Sequence, residues 1–426
     1  KAIKVHVRES HNGFSVLSYN VYLSPNDSWT FALGPHTSTT ASKPLDWHGQ
    51  DSGKQVTFDQ SCAPGLIKAG QDFSGVAFNM PSEPIRDFSR TTEGFIEIIE
   101  MATINPDSEL HNMLIAENNG NPADCQSVDE MWQANGVWKD SATDQLLPPN
   151  GSLSAEATLI NVAEGIQFPV EAGVFANFCE EDVMYHTAPG NNEPTLNSGV
   201  KKAILVNNGQ VKHLTFEKGE DAVSALIMKS TVSYQFNVES VFAGATETGI
   251  TFPTRRFYIE NENQLPPFDA SPNDNTCYTN SGINTFYILT LDRSSIYNPP
   301  YNDGGVGTPP PRPPTPKTCG TTATIRTKLP GQTPYAIFNS YNAETIDSVL
   351  YYNATESGFH LLRFNHLPIN ATNTNTGNSV KLEGIPIIGT SFQKATNANA
   401  APGLLAQYGY ATPIKTTTEV VITELN

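Results

Sequence analysis

Glycine and proline set the first limit on this chain. Each occurs 31 times in 426 residues, so roughly one position in seven interrupts regular structure. Proline fixes φ and removes a backbone donor, and glycine supplies positive-φ turns. Long helices have little room in such a chain, whereas short strands between turns do. The apolar residues keep the matching period. Ile3, Val5 and Val7 alternate with Lys4, His6 and Arg8, the pattern of a half-buried strand. Asn12-Gly13 then turns the chain into Phe14–Leu23, where Leu17, Tyr19, Val21 and Leu23 alternate with polar partners. Gly94–Ile104 is the strongest strand of the first half.

A helical period interrupts this in the first half, and again in a short helix over Val223–Met228 behind Glu220 and Asp221. Asn105-Pro106-Asp107 reads as a helix start, with Leu110, Met113 and Leu114 at helical spacing behind it. A second short helix is predicted from Pro122 to Trp132, with Cys125, Val128 and Trp132 on one side. Strands return at Leu153–Val162, Ile166–Phe175, Ala203–Val206 and Val211–Phe216, and continue to the end of the chain. The expected fold class is mainly β, as two antiparallel β-sandwich-like domains. The first covers 1–195 with a helical insertion at about 105–133. The second covers 196–426, and the polar stretch 187–199 marks the boundary between them. The second contains a Pro-rich loop, 299–316, which is expected to be polyproline II because proline cannot join a ladder. It frames a PxxP at Pro310 and Pro313, and a stiff exposed loop is preferred to an SH3-type ligand.

Charge narrows the partners. Lys and Arg number 25 against 43 Asp and Glu, a formal net charge of −18. Such a chain displaces no counterions from phosphates, which excludes nucleic acid as the main partner. Charged residues make up only 16%, below the usual quarter, so Ser, Thr, Asn and Gln must supply much of the surface. No apolar run approaches the roughly 18 residues of a membrane-spanning helix.

The five cysteines are Cys62, Cys125, Cys179, Cys277 and Cys319, with no CxxC or zinc spacing. An acidic, Asn- and Thr-rich chain of low charge suits the outside of a cell, where disulfides persist. The expected pairs are Cys62–Cys125 and Cys277–Cys319, with Cys179 free; the alternative is five buried thiols. Lys1 is not Met, so a processed or truncated start is expected, with strand residues upstream.

Seven stretches together resemble a family of secreted proteobacterial cell-surface proteins. They are VYLSPNDSW (21–29), TEGFIEIIEM (92–101), PADC (122–125), AVSALIM (222–228), TFPTRRFY (251–258), LDRS (291–294) and GIPIIG (384–389). They run in the family's order along almost the whole chain, and TFPTRRFY is the most specific. The resemblance implies export and an extracellular or surface role, and it supplies no catalytic residues. It also implies that Cys62, Cys125, Cys277 and Cys319 are the recurrent cysteines and that Cys179 is extra. Members of the family carry further strand sequence before the position of Lys1.

Candidate chemistry is sparse. Glu97 and Glu100 invite a glycosidase reading, but residues three apart on a regular strand face opposite ways. GxSxG, HExxH and P-loop motifs are absent. His6, His11, His36 and His48, and separately His360 and His366, fix no metal geometry. No cofactor is expected. Abundant acids and Asn leave calcium open, although Asp274 and Asp303 belong to no DxDxDG loop. One of Arg255 and Arg256 is expected to be buried and paired with a carboxylate. Acidic neighbours make Cys179 a poor nucleophile.

The function expected from the sequence is therefore structural rather than enzymatic. The chain is read as a secreted subunit that polymerises with copies of itself into an extracellular filament or surface layer. The first strand, Ile3, Val5 and Val7, would be completed by a neighbouring copy, because an open edge is a template for another chain. The alternatives are a monomeric adhesin that stacks glycans on Trp47 or Tyr301, and a β-scaffold glycoside hydrolase.

Overall fold

The structure is a computed structural model. It describes residues 1–35, 53–79, 83, 86, 88–115, 121–207, 209–260, 263–268, 283–291, 316–350, 353–419 and 421–425. The fold is mainly β, with four short α-helices among the described residues. Two compact units emerge, and they are not consecutive halves of the chain. The first is made of 1–153, 174–202 and 217–223, and the second of 154–173, 203–216 and 224–426. The polar stretch expected to be a boundary, 187–199, lies inside a segment of the first unit that is flanked in sequence by the second.

The first unit is built on strands β1 (Ala2–Glu9), β2 (Ser15–Tyr22), β3 (Ala32–Pro35), β4 (Gly53–Val56), β5 (Gln71–Asp72), β6 (Gly94–Ile104) and β7 (Leu146–Leu147). The main sheet runs β2-β1-β6-β7, and β3-β4-β5 form a small second sheet. β1 pairs antiparallel with β2 from Ala2↔Tyr22 to Arg8↔Ser15, and with β6 from Ala2↔Ala102 to Glu9↔Gly94. Gly94 is required at this crossing, since a Cβ there would lie 1.8 Å from the Arg8 carbonyl oxygen.

Three helices supply the layer over one end of this sheet: α1 (Glu109–Leu114), α2 (Cys125–Glu130) and α3 (Val137–Asp140). Leu110, Leu114, Val128, Met131 and Trp138 form one cluster with Ala2, Tyr22, Met101 and Ala102. Helices thus cover apolar positions that a sandwich would cover with a second full sheet. Helix α1 starts later than the sequence suggests. Ser108 is its N-cap and accepts from the His111 N–H at 3.1 Å, while Asn105 closes a turn ahead of it by accepting from the Asp107 N–H.

The second unit opens with β8 (Glu156–Asn161) and β9 (Ile166–Glu171), a two-stranded hairpin. β10 (Lys202–Asn207) and β11 (Gln210–Thr215) start a five-stranded sheet and flank Asn207 and Gly209, the hairpin signal read in the sequence. β12 (Met228–Asn237) lies in a six-stranded sheet beside Ser357–Phe364, which in turn pairs with Ile283–Leu291. β13 (Ala245–Thr251) lies in another five-stranded sheet, between Thr322–Lys328 and Ile388–Ala401. Three large sheets, more than the two of a sandwich, stand where a second sandwich-like domain was expected. The six-stranded sheet and the sheet of β13 share a core that contains Val232, Phe236, Ile250, Phe252, Phe286, Ile325, Leu362 and Phe364.

Candidate functional site

β1 was the expected assembly strand, and the structure corrects this. Both of its edges are filled within one copy, by β2 and by β6. Both faces are buried too. Ile3 and Val5 pack with Tyr19, Val21 and Leu23, and Val7 packs with Phe73, Phe78 and Phe88. The other face, Lys4, His6 and Arg8, was expected in water but is at most 2% exposed. The physical reason is a strap formed by residues 186–198 of the same unit. Its backbone carbonyls serve as the acceptors that solvent would otherwise supply. Asn20 donates to Thr187 O at 2.8 Å, Lys4 Nζ to Ala188 O at 2.8 Å, and Ser18 to Asn191 O at 2.7 Å. His6 Nε2 donates to Pro194 O at 2.8 Å. The Leu196 N–H donates to Glu97 Oε1, and Arg8 Nε pairs with Glu97 Oε2.

The same strap places His186 among Tyr22, Trp132 and Trp138. Its Nδ1 donates to Ala142 O, so its Nε2 accepts from the Tyr22 hydroxyl at 2.7 Å. Burial pushes both imidazoles down to about 4, with the Arg8 charge adding to the effect at His6. Burial alone brings the Lys4 ammonium down to about 7. A further charge cluster closes the turn after β1. Glu9 accepts from the N–H groups of His11, Asn12 and Phe14 and pairs with Arg90, which also reaches Glu83 at 3.0 Å.

Glu97 and Glu100 do not converge. Glu97 stands opposite His6 and Glu100 opposite Ile3, positions on opposite faces of β1. Glu100 accepts from Lys1 Nζ, the Asn150 N–H and the Gly151 N–H. Both carboxylates thus hold neighbouring chain segments in place.

Cys62 and Cys125 form the expected disulfide, with Cα atoms 5.1 Å apart. Cys319 is disulfide-bonded, and its expected partner Cys277 lies outside the described residues. Cys179 is free, and burial together with the Glu100 charge pushes its thiol up to about 11. Arg255 is the buried member of its pair and donates to Gln264 Oε1 at 3.0 Å, while Arg256 lies over the Phe257 ring. His36, Trp47, His48, Asp274, Tyr301, Asp303 and residues 299–315 also lie outside the described residues. Among the described residues, no group of His, Cys, Asp and Glu is placed to hold a metal, and no helix is long and apolar enough to cross a membrane.

Two features of the second unit face outward. The first is a pair of strand edges. β8 has β9 as its hydrogen-bonded neighbour, and Glu156 through Ile160 are all exposed. Ile160 is 63% and Val162 85% exposed. β10 ends its sheet, with Ala203 and Leu205 buried and Ile204 and Val206 exposed. The second feature is an open groove of about 260 Å³ lined by Tyr287, Arg363, Phe364, Asn365 and His366. Tyr287 and Arg363 are direct cross-strand partners, both exposed, and Phe364 is buried. His366 Nδ1 donates to Phe364 O at 2.9 Å.

Comparison with protein-family models, curated proteins and solved structures returned no match for this chain. The sequence singled out His366 but passed over Tyr287 and Arg363. They are 76 positions apart in the numbering, and only the strand register unites them. The signal available was alternation. Tyr287 follows buried Phe286, and Arg363 sits between buried Leu362 and Phe364.

Proposed function

We propose that the protein is a secreted structural subunit whose copies join by strand addition, and that the joining edges are β8 and β10 rather than β1. The observation that carries this reading is the exposure of β8. Natural edge strands are blunted by Lys, Pro, bulges or covering loops. Among the described residues β8 has none of these: Ala157-Thr158-Leu159-Ile160 is uncharged, and both of its faces are exposed. An incoming strand would gain a row of backbone hydrogen bonds and cover Leu159 and Ile160. β10 offers a second, different edge flanked by exposed Ile204 and Val206. Joining two different patches head to tail does not stop at a closed pair, and it makes an open polymer where the rotation between copies does not close a ring. The Cys62–Cys125 disulfide supports an oxidising compartment, which agrees with the export implied by the sequence resemblance.

The test is electron microscopy and sedimentation of the purified protein beside Ile160→Lys and Val206→Lys. Threads are expected from the parent chain and from neither variant. A parent chain that stays monomeric at its highest attainable concentration overturns the reading. So do threads that persist in the double variant.

A further inference from the structure

The groove between Ile283–Leu291 and Ser357–Phe364 has a chemistry that assembly does not use. Its lining offers donors and the exposed ring of Tyr287, and among the described residues it contains no carboxylate. The net charge of the chain is −18, yet the Arg363 guanidinium has no acidic partner among the described residues. It is exposed, and the paired ring of Tyr287 is 57% exposed beside it. A guanidinium in this setting fits a carboxylate through two parallel N–H bonds. The tyrosine ring gives a flat apolar face. The Asn365 amide and His366 imidazole add hydrogen-bonding groups at the same end. Phe364, packed in the core on Phe286 and Phe252, makes the floor rigid.

We propose that this groove binds an acidic sugar. The carboxylate of a uronic acid residue lies on Arg363, the C–H face of its ring stacks on Tyr287, and its hydroxyls meet Asn365 and His366. A volume of about 260 Å³ is just under the ~300 Å³ at which drug-sized pockets begin, so it accepts one sugar ring of a longer chain. A bare anion would leave Tyr287 unused, and a neutral sugar would leave Arg363 unpaired. This binding is separate from strand addition, because neither β8 nor β10 lines the groove.

Titration calorimetry of the purified chain with a trimer of galacturonic acid, against the trimer of neutral galactose, tests the proposal. Binding of the acidic trimer is expected, with the neutral one at least about tenfold weaker. Arg363→Gln and Tyr287→Ala are each expected to lower affinity about tenfold or more, with Arg363→Lys in between. Both side chains are exposed, and an unchanged melting temperature confirms that the variants are folded. Equal affinity for the two trimers overturns the proposal, as does no binding of either. Full competition by inorganic phosphate with no loss in Tyr287→Ala also overturns it, since that marks a plain anion site.

Discussion

Lys4 has no carboxylate bonded to it in the described structure; its single hydrogen bond runs to a backbone carbonyl in the strap. An ammonium so placed loses its hydration without a full charge in return. Its ordinary value near 10.5 falls to about 7. The unfolded chain therefore binds more protons than the folded one between those two values. By linkage, stability from this group is complete above about 10.5 and is lost as pH falls toward 7. The buried histidines continue the trend. His6 and His186 are held down to about 4 and His360 to about 3. Each is neutral in the fold, so its contribution is present above about 6.5 and lost as pH falls through its folded value. Urea titrations should show stability declining by on the order of 1 kcal/mol per pH unit from about pH 10 to 7. A second decline should follow below about pH 6.5. Lys4→Met keeps the length of the side chain and removes the charge. It should remove the decline between about pH 10 and 8, leave the smaller part below pH 8 that comes from the buried N-terminal amine, itself lowered to about 6, leave the second decline, and leave stability at pH 7 equal or raised. A decline between about pH 10 and 8 that persists in Lys4→Met assigns it to other groups.

At the scale of the element, the strands were legible and their neighbours were not. Gly94–Ile104 forms as read, and the turn at Asn12-Gly13 joins β1 to β2, with Gly13 at φ 70°. Alternation announced both. The same alternation suggested that Lys4, His6 and Arg8 face water, because polarity alone does not distinguish water from a strap of backbone carbonyls. The partners that take them out of water, Ala188 for Lys4, Pro194 for His6 and Glu97 for Arg8, lie 89 positions or more away, and local periodicity carries no information about them. The groove was hidden for the same reason. The disulfide is different, since the number and spacing of the cysteines point to it without any knowledge of the fold. Cys62 and Cys125 are 63 positions apart, and closing such a loop contributes roughly 4 kcal/mol in the chain-entropy model. The bridge joins the first residue of α2 to Cys62, whose carbonyl accepts from the Tyr22 N–H at the end of β2. Replacing both cysteines by serine should lower stability by about 3–4 kcal/mol. The helices should loosen before the sheet, which amide exchange resolves as early loss of protection over 109–140. Uniform loss of protection would place the helices and the sheet in one cooperative unit.

At the scale of the whole molecule, where the net charge is −18, added salt acts in opposite directions on the two proposed activities. Copies that approach one another carry the same sign, and their repulsion reaches about 8 Å at physiological ionic strength. Strand addition itself is made of backbone hydrogen bonds and apolar contact, which salt leaves nearly untouched. Added sodium chloride should therefore favour assembly, raising the pelleted fraction at fixed protein concentration and lowering the concentration at which threads first form. An acidic sugar is held by its charge on Arg363, so the same salt should weaken its binding. The two responses separate the two sites in one preparation. Arg363→Gln should still form threads, and Ile160→Lys should still bind the acidic trimer. If salt dissolves the threads, the copies are joined by opposite charges rather than by strand edges. If saturating trimer dissolves them while Ile160→Lys leaves them intact, the groove is itself the joint, and the edges of β8 and β10 play no part in it.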